Sequence, residues 1–176
     1  MIPQNAEIKN TRREILDILE GIPDPEIPVL TIADLGILRD LILEGEDLGK
    51  KSKIHVVITP TYSGCPAMDM IRQQIQFELI SHGYAHAVVD SRLSPAWTTD
   101  WMSEAGKQKL KAFGIAPPNP SQQVCQTKLF HQEEAIQCPR CNGYHTALIS
   151  QFGSTPCKAL YRCLDCEEPF DYFKCH

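Results

Sequence analysis

Thr59-Pro60-Thr61-Tyr62-Ser63-Gly64-Cys65-Pro66-Ala67-Met68-Asp69-Met70 marks a change of hydrophobic period from two to helical. Ahead of it, Ile54, Val56 and Ile58 alternate along Lys53 to Thr59 as a strand does. Behind it, Met68, Ile71, Ile75 and Leu79 recur at helical steps, and Gly83 closes the pattern. The stretch therefore predicts a strand, a tight turn and a helix that begins near Pro66, a residue suited to the first helical position. Cys65 sits at the junction. Free N–H groups and the dipole at a helix start favour negative charge, so this placement predicts a thiol biased toward thiolate, open to use as nucleophile or metal ligand.

On its N-terminal side, Ile37 to Leu43 reads as a strand and Glu44 to Gly49 as a polar turn, which makes an antiparallel hairpin with the Lys53–Thr59 run. Ala85 to Leu93 predicts a further strand. Upstream, Asn10-Thr11-Arg12-Arg13-Glu14 has capping-box spacing and opens a helix through Ile15, Ile18, Leu19 and Ile22. Pro23-Asp24-Pro25-Glu26-Ile27-Pro28 is held extended by its prolines. Asp24 and Asp34 carry two readings: loop aspartates that brace turns, or acids that line the Cys65 site. Downstream, Ser94 to Met102 is rich in turn formers and holds Trp97 and Trp101, which read as core anchors or as a partner-facing patch. Thr98 or Thr99 is the expected cap of a helix over Asp100–Phe113, with Gly114 after it. Helix, hairpin, helix, strand and helix make an α+β domain over 1–116, with helices on a three-stranded sheet. A proline-bearing linker over 117–137 and a small β domain over 138–176 follow.

The 176 residues and the 43% apolar share allow one ordinary core and a small second module. No apolar run approaches the ~20 residues of a transmembrane helix, and Met1 to Arg13 has no signal-peptide character. The net charge of -5 without a basic block argues against nucleic acid or an anionic membrane as partner. A cytoplasmic protein is the expectation. Seven of the eight cysteines lie from Cys125 onward, a distribution that points to metal or redox chemistry rather than a disulfide framework.

Cys138-Pro139-Arg140-Cys141 and Cys163-Leu164-Asp165-Cys166 are two C-x2-C knuckles separated by 21 residues. Paired thiolates at both ends close a tetrahedral four-sulfur site, for which zinc is the first choice and iron the second. Ala147–Phe152, Ala159–Arg162 and Phe170–Phe173 predict a three-stranded ribbon whose folding draws on the metal. Cys157 reads either as a small buried apolar residue or as a second reactive thiol beside Lys158. Cys125, Cys175 and the histidines His55, His82 and His86 suggest no metal spacing. Acidic and basic side chains balance from Cys138 onward, so the ribbon reads as a protein-docking module rather than a nucleic-acid binder.

At Asp24-Pro25-Glu26-Ile27-Pro28, Asp34-Leu35-Gly36 and Thr61-Tyr62-Ser63-Gly64-Cys65-Pro66 the chain resembles the MIP18 (DUF59) family of iron–sulfur cluster assembly. Ser94–Met102, Phe152–Thr155, Cys157–Cys163 and the ribbon narrow the resemblance to the branch attached to the bacterial phenylacetyl-CoA epoxidase system. The resemblance implies an accessory protein of that multicomponent oxygenase in aerobic phenylacetate catabolism, not an enzyme by itself. Its implied partners are the reductase and other oxygenase subunits and the iron–sulfur machinery, with a homodimer as a further expectation. It implies that Cys65 transiently holds iron or a cluster, with Asp34 and Asp24 shaping the site. Two other readings stand beside it: a structural subunit without chemistry, and a thiol enzyme in which Cys65 attacks an acyl thioester.

Overall fold

The computed structural model describes residues 4–44, 53–118 and 136–174. The expected turn after Glu44, most of the linker, Cys125 and Cys175 lie outside them. The chain divides into two compact units, Met1–Trp97 and Thr98–His176.

The first unit contains α1 (Gln4–Glu20), β1 (Leu38–Glu44), β2 (Lys53–Ile58), α2 (Ala67–Ser81) and β3 (Ala87–Ser91). The strands form one sheet in the order β1-β2-β3. β1 and β2 are the expected antiparallel hairpin, whereas β3 runs parallel to β2, with α2 as the crossover between them. Ile15 and Leu19 of α1, Leu41 of β1, Ile54, Val56 and Ile58 of β2, and Ile71, Ile75 and Leu79 of α2 are buried. Each contributes about 1.5–3 kcal/mol by leaving water, and α2 packs on β3 and α1. Both elements that flank Cys65 are anchored by buried side chains. α1 starts six residues before the expected Asn10, so Thr11 and Glu14 lie inside the helix rather than at its cap. Gly83 takes the left-handed conformation expected of a helix stop, with φ 90°, and its N–H donates to Ile80 O at 2.9 Å.

The second unit starts with a single 3-10 turn over Thr99–Trp101, followed by α3 (Glu104–Phe113), β4 (Ile115–Ala116), β5 (Thr146–Ser150), β6 (Lys158–Cys163) and β7 (Pro169–Phe173). The expected cap at Thr98 or Thr99 belongs to the 3-10 turn. Ser103 caps α3 instead, its Oγ accepting from Gly106 N at 2.8 Å. Gly114 ends the helix at φ 93°. The ribbon strands β5, β6 and β7 pair antiparallel as expected, but β4 adds a fourth strand parallel to β7, giving the order β4-β7-β6-β5. The division therefore falls after Trp97, and α3 and β4, expected in the first domain over 1–116, group with the ribbon. Ala116 packs in the same buried cluster as Ile136, Cys138, Cys163, Phe170 and Tyr172.

Candidate functional site

Two candidate centres stand in the structure, one in each unit. Cys65 is held by the backbone on both sides. Thr59 N–H donates to Ile37 O at 2.9 Å, which anchors the end of the strand. Cys65 N–H reaches Tyr62 O at 3.3 Å to close the turn, and Cys65 O accepts from Met68 N at 3.3 Å as α2 begins. Gly64 supplies the reversal with φ 91°, a conformation that other residues adopt only under strain.

The thiol is half-buried, and its environment is not the one a helix start alone predicts. Burial is the largest influence and pushes the Cys65 pKa above the usual cysteine value. The Ala67 N–H does favour the thiolate, as helix-start geometry requires, but the Glu26 and Asp24 carboxylates oppose it. The expectation of a thiolate-biased thiol is therefore corrected: desolvation and two negative neighbours outweigh the helix-start N–H. Among the described residues no histidine is among the groups that act on Cys65. His55 stands on β2 between Glu44 and Asp90, at 3.9 and 3.6 Å.

Asp24 is buried, and its Oδ1 accepts from Glu26 N at 2.9 Å and Ile27 N at 2.8 Å. It braces its own turn, and its carboxylate also raises the Cys65 pKa. Asp34 is buried and exchanges reciprocal hydrogen bonds with Thr31, both 3.1 Å, in the manner of a capping box. Trp97 fixes the same loop from outside it, donating from Nε1 to Leu35 O at 2.8 Å, and is buried as a core anchor. Sequence reading passed over Glu26. Its one signal was position, two residues after Asp24 in a stretch forced extended, and nothing local tells which way that side chain faces.

In the second unit, Cys138, Cys141, Cys163 and Cys166 come together as expected, with all four Sγ atoms within 4.8 Å of one another. Zinc–sulfur bonds of ~2.3 Å in a tetrahedron set sulfur–sulfur edges of about 3.8 Å. Cys138 and Cys166 stand 3.8 Å apart and Cys141 and Cys163 3.5 Å, so the cage fits the ion. The two knuckles repeat one geometry. Cys138 N donates to Gly143 O and Cys163 N to Glu168 O, both at 2.9 Å. Asn142 and Glu167, each just past the second cysteine, turn left-handed at φ 63° and 62°. Backbone N–H groups point at the sulfurs, among them Gly143 at Cys141 over 3.4 Å, which spreads the charge of bound thiolates. A Cβ at Gly143 would meet Asp165 Oδ2 at 2.5 Å, so that side chain would have to shift.

Cys157 lies at the opposite end of β6 from Cys163. It is buried, 3.0 Å from Thr155 Oγ1, and Lys158 is turned away to Asp171 at 3.3 Å. The lysine that acts with Cys157 is Lys174, which also stacks over Phe152 at 4.4 Å. Of the two readings, burial matches the small apolar residue.

The family model for iron–sulfur cluster assembly proteins matches residues 12–82, and that for the PaaD zinc beta ribbon domain matches residues 122–174. A protein of Escherichia coli (strain K12), named for one component of 1,2-phenylacetyl-CoA epoxidase, is 48% identical over 162 residues, 92% of each chain. The chain belongs to the PaaD branch of the MIP18 family. An Fe-S protein maturation auxiliary factor of Porphyromonas gingivalis (strain ATCC BAA-308 / W83) is 32% identical over 107 residues, covering 60% of this chain and 96% of that relative. A solved DUF59 domain from Bacillus anthracis superposes with a TM-score of 0.51 at 22% identity, over 58% of this chain and 92% of that one, which supports the fold. The MIP18 match includes Asp24, Glu26, Asp34 and Cys65, and the PaaD ribbon match includes all four metal cysteines. An iron–sulfur assembly role and a four-thiol metal site follow from membership. No helix among the described residues is long and apolar enough to cross a membrane.

Proposed function

We propose that this chain is an accessory protein of the phenylacetyl-CoA epoxidase system that matures or delivers an iron–sulfur cluster. Its client is the reductase component, and Cys65 is the transient ligand. The observation that carries this reading is the company Cys65 keeps. Burial and the Glu26 and Asp24 carboxylates disfavour a bare thiolate, which suits poorly an electrophile-seeking nucleophile. The same carboxylates stabilise a cation brought to the thiol, and binding that cation displaces the proton. Iron arriving there is cargo. One thiolate fills only one of the roughly four positions a cluster needs, so the client's cysteines or a second copy complete the set, and the cluster can leave. Cys138, Cys141, Cys163 and Cys166 satisfy their own metal, zinc in this reading, and leave Cys65 free of structural duty.

Anaerobic loading of wild type and Cys65→Ala with ferrous iron and sulfide, followed by metal analysis and absorption spectroscopy, tests the ligand. About one zinc per chain is expected in both, with visible charge-transfer absorption in wild type only. Equal absorption in Cys65→Ala would exclude Cys65 as the ligand.

A further inference from the structure

The four asparagines of the chain differ in the residue that follows: Asn5 precedes Ala6, Asn10 precedes Thr11, Asn119 precedes Pro120 and Asn142 precedes Gly143. An asparagine loses its side-chain amide when the backbone nitrogen of the next residue attacks its Cγ. A following glycine, with no Cβ in the way, allows that attack most readily. Asn142-Gly143 is therefore the pair best suited to the reaction, and Asn142 is exposed to the water that completes it. The pair lies directly after Cys141 in the first metal knuckle, and its backbone is pinned at four points. Asn142 N–H donates to Cys138 O at 3.0 Å, and Asn142 O accepts from Gln137 Nε2 at 3.2 Å. Gly143 N–H, on the attacking nitrogen, points at Cys141 Sγ over 3.4 Å, and Gly143 O accepts from Cys138 N at 2.9 Å. The second knuckle has Glu167 and Glu168 at the matching places, with no amide to lose.

We propose that Asn142 is a deamidation site guarded by the metal-bound knuckle. Attack requires the Gly143 nitrogen to leave Cys141 Sγ and swing onto Asn142 Cγ. A metal held by the four thiols fixes Cys138 and Cys141, and with them the hydrogen bonds that keep Gly143 in place; loss of the ion frees the turn. Gly143 N then bonds to Asn142 Cγ, the Cγ–Nδ2 bond breaks, and Nδ2 leaves as ammonia with the proton of Gly143 N–H. Water opens the resulting succinimide at either carbonyl and leaves aspartate or isoaspartate at the position, with no oxidant or reductant involved. Isoaspartate adds one carbon to the backbone, a bond of about 1.5 Å, and carries Gly143 away from Cys141 Sγ and Cys138 N. Metal loss that is not soon reversed thus becomes permanent. The proposal rests on the four-thiol site alone and is independent of the Cys65 reading.

The test ages the full chain at neutral pH under a reductant, zinc-loaded in one arm and stripped with a chelator in the other. Peptide mass spectrometry follows amide-to-acid conversion at each asparagine, and enzymatic methylation counts isoaspartate. Conversion at Asn142 is expected to run at least tenfold faster in the stripped chain than in the loaded one, and to outpace Asn5, Asn10 and Asn119 in the stripped chain. Zinc returned after ageing should be taken up only by the unconverted fraction. Asn142→Gly, which suits the left-handed φ of 63° and has no amide to lose, should reload fully after the same ageing. Equal rates in the two arms, no conversion at Asn142 in either, or converted chains that reload zinc as well as fresh ones would overturn the proposal. So would an Asn142→Gly chain that loads zinc when fresh but loses reloading as fast as wild type.

Discussion

At Cys65 the Ala67 N–H pulls toward thiolate while burial and two carboxylates pull away, and the second group wins. The sign is testable. Because the pKa is raised, Cys65 should alkylate more slowly than a free thiol at neutral pH and should gain reactivity only above the usual cysteine range. Glu26→Gln removes a negative neighbour and should speed iodoacetamide labelling severalfold at fixed pH; an unchanged or slower rate would show that Glu26 does not face the thiol. At the four-thiol metal site the sensitive position carries no ligand. In Gly143→Ala the new methyl meets Asp165 Oδ2 at 2.5 Å and Cys141 Sγ at 3.3 Å, while Asp165 is already engaged with His145 at 3.2 Å. Zinc release to a chelator should quicken, and Asp165→Ala added to it should restore slower release. The thiol cage was legible in the sequence because C-x2-C spacing is local. The balance at Cys65 was not, since Glu26 lies 39 residues away along the chain and only the fold turns it toward the thiol.

Among the elements, the β2–turn–α2 unit reads directly from the chain, because alternation before Thr59 and helical spacing after Pro66 meet at one glycine-bearing turn. Helix starts were harder. Thr11 and Glu14 form a capping pattern that the helix runs through, and Thr98 or Thr99 offered a cap where Ser103 provides it, with Gly106 rather than an acid at the third helical position. Ser103→Ala should cost about 1 kcal/mol, a fall of about 4–8 °C in Tm for a unit of this size. Trp97→Phe keeps the buried ring but strips the donor from Leu35 O, and should cost about 1–3 kcal/mol by orphaning a buried carbonyl. β4 could not be read at all: Ile115 and Ala116 have no strand pattern of their own and become a strand only by pairing with Asp171 and Tyr172 more than fifty residues on.

For the whole molecule, that pairing sets how the metal is felt. Ala116 shares its buried cluster with Cys138 and Cys163, and α3 lies in the same compact unit, so the four-thiol site, strand β4 and α3 belong to one folding unit. Zinc removal should therefore unfold α3 together with the ribbon, while Met1–Trp97 keeps its sheet and two helices. Circular dichroism should show a partial helical loss, and amide exchange should confine it to residues after Trp97; loss of protection in β2 and α2 would contradict the division. In the proposed role, Cys65 hands iron or a cluster to the reductase while the ribbon's own site stays loaded. The decisive quantity is the cluster content of the reductase purified from cells in which Cys65→Ala replaces the wild-type chain. The expected result is a folded Cys65→Ala protein with normal zinc and melting, beside a reductase depleted of its cluster. A fully loaded reductase in those cells would contradict the proposed role.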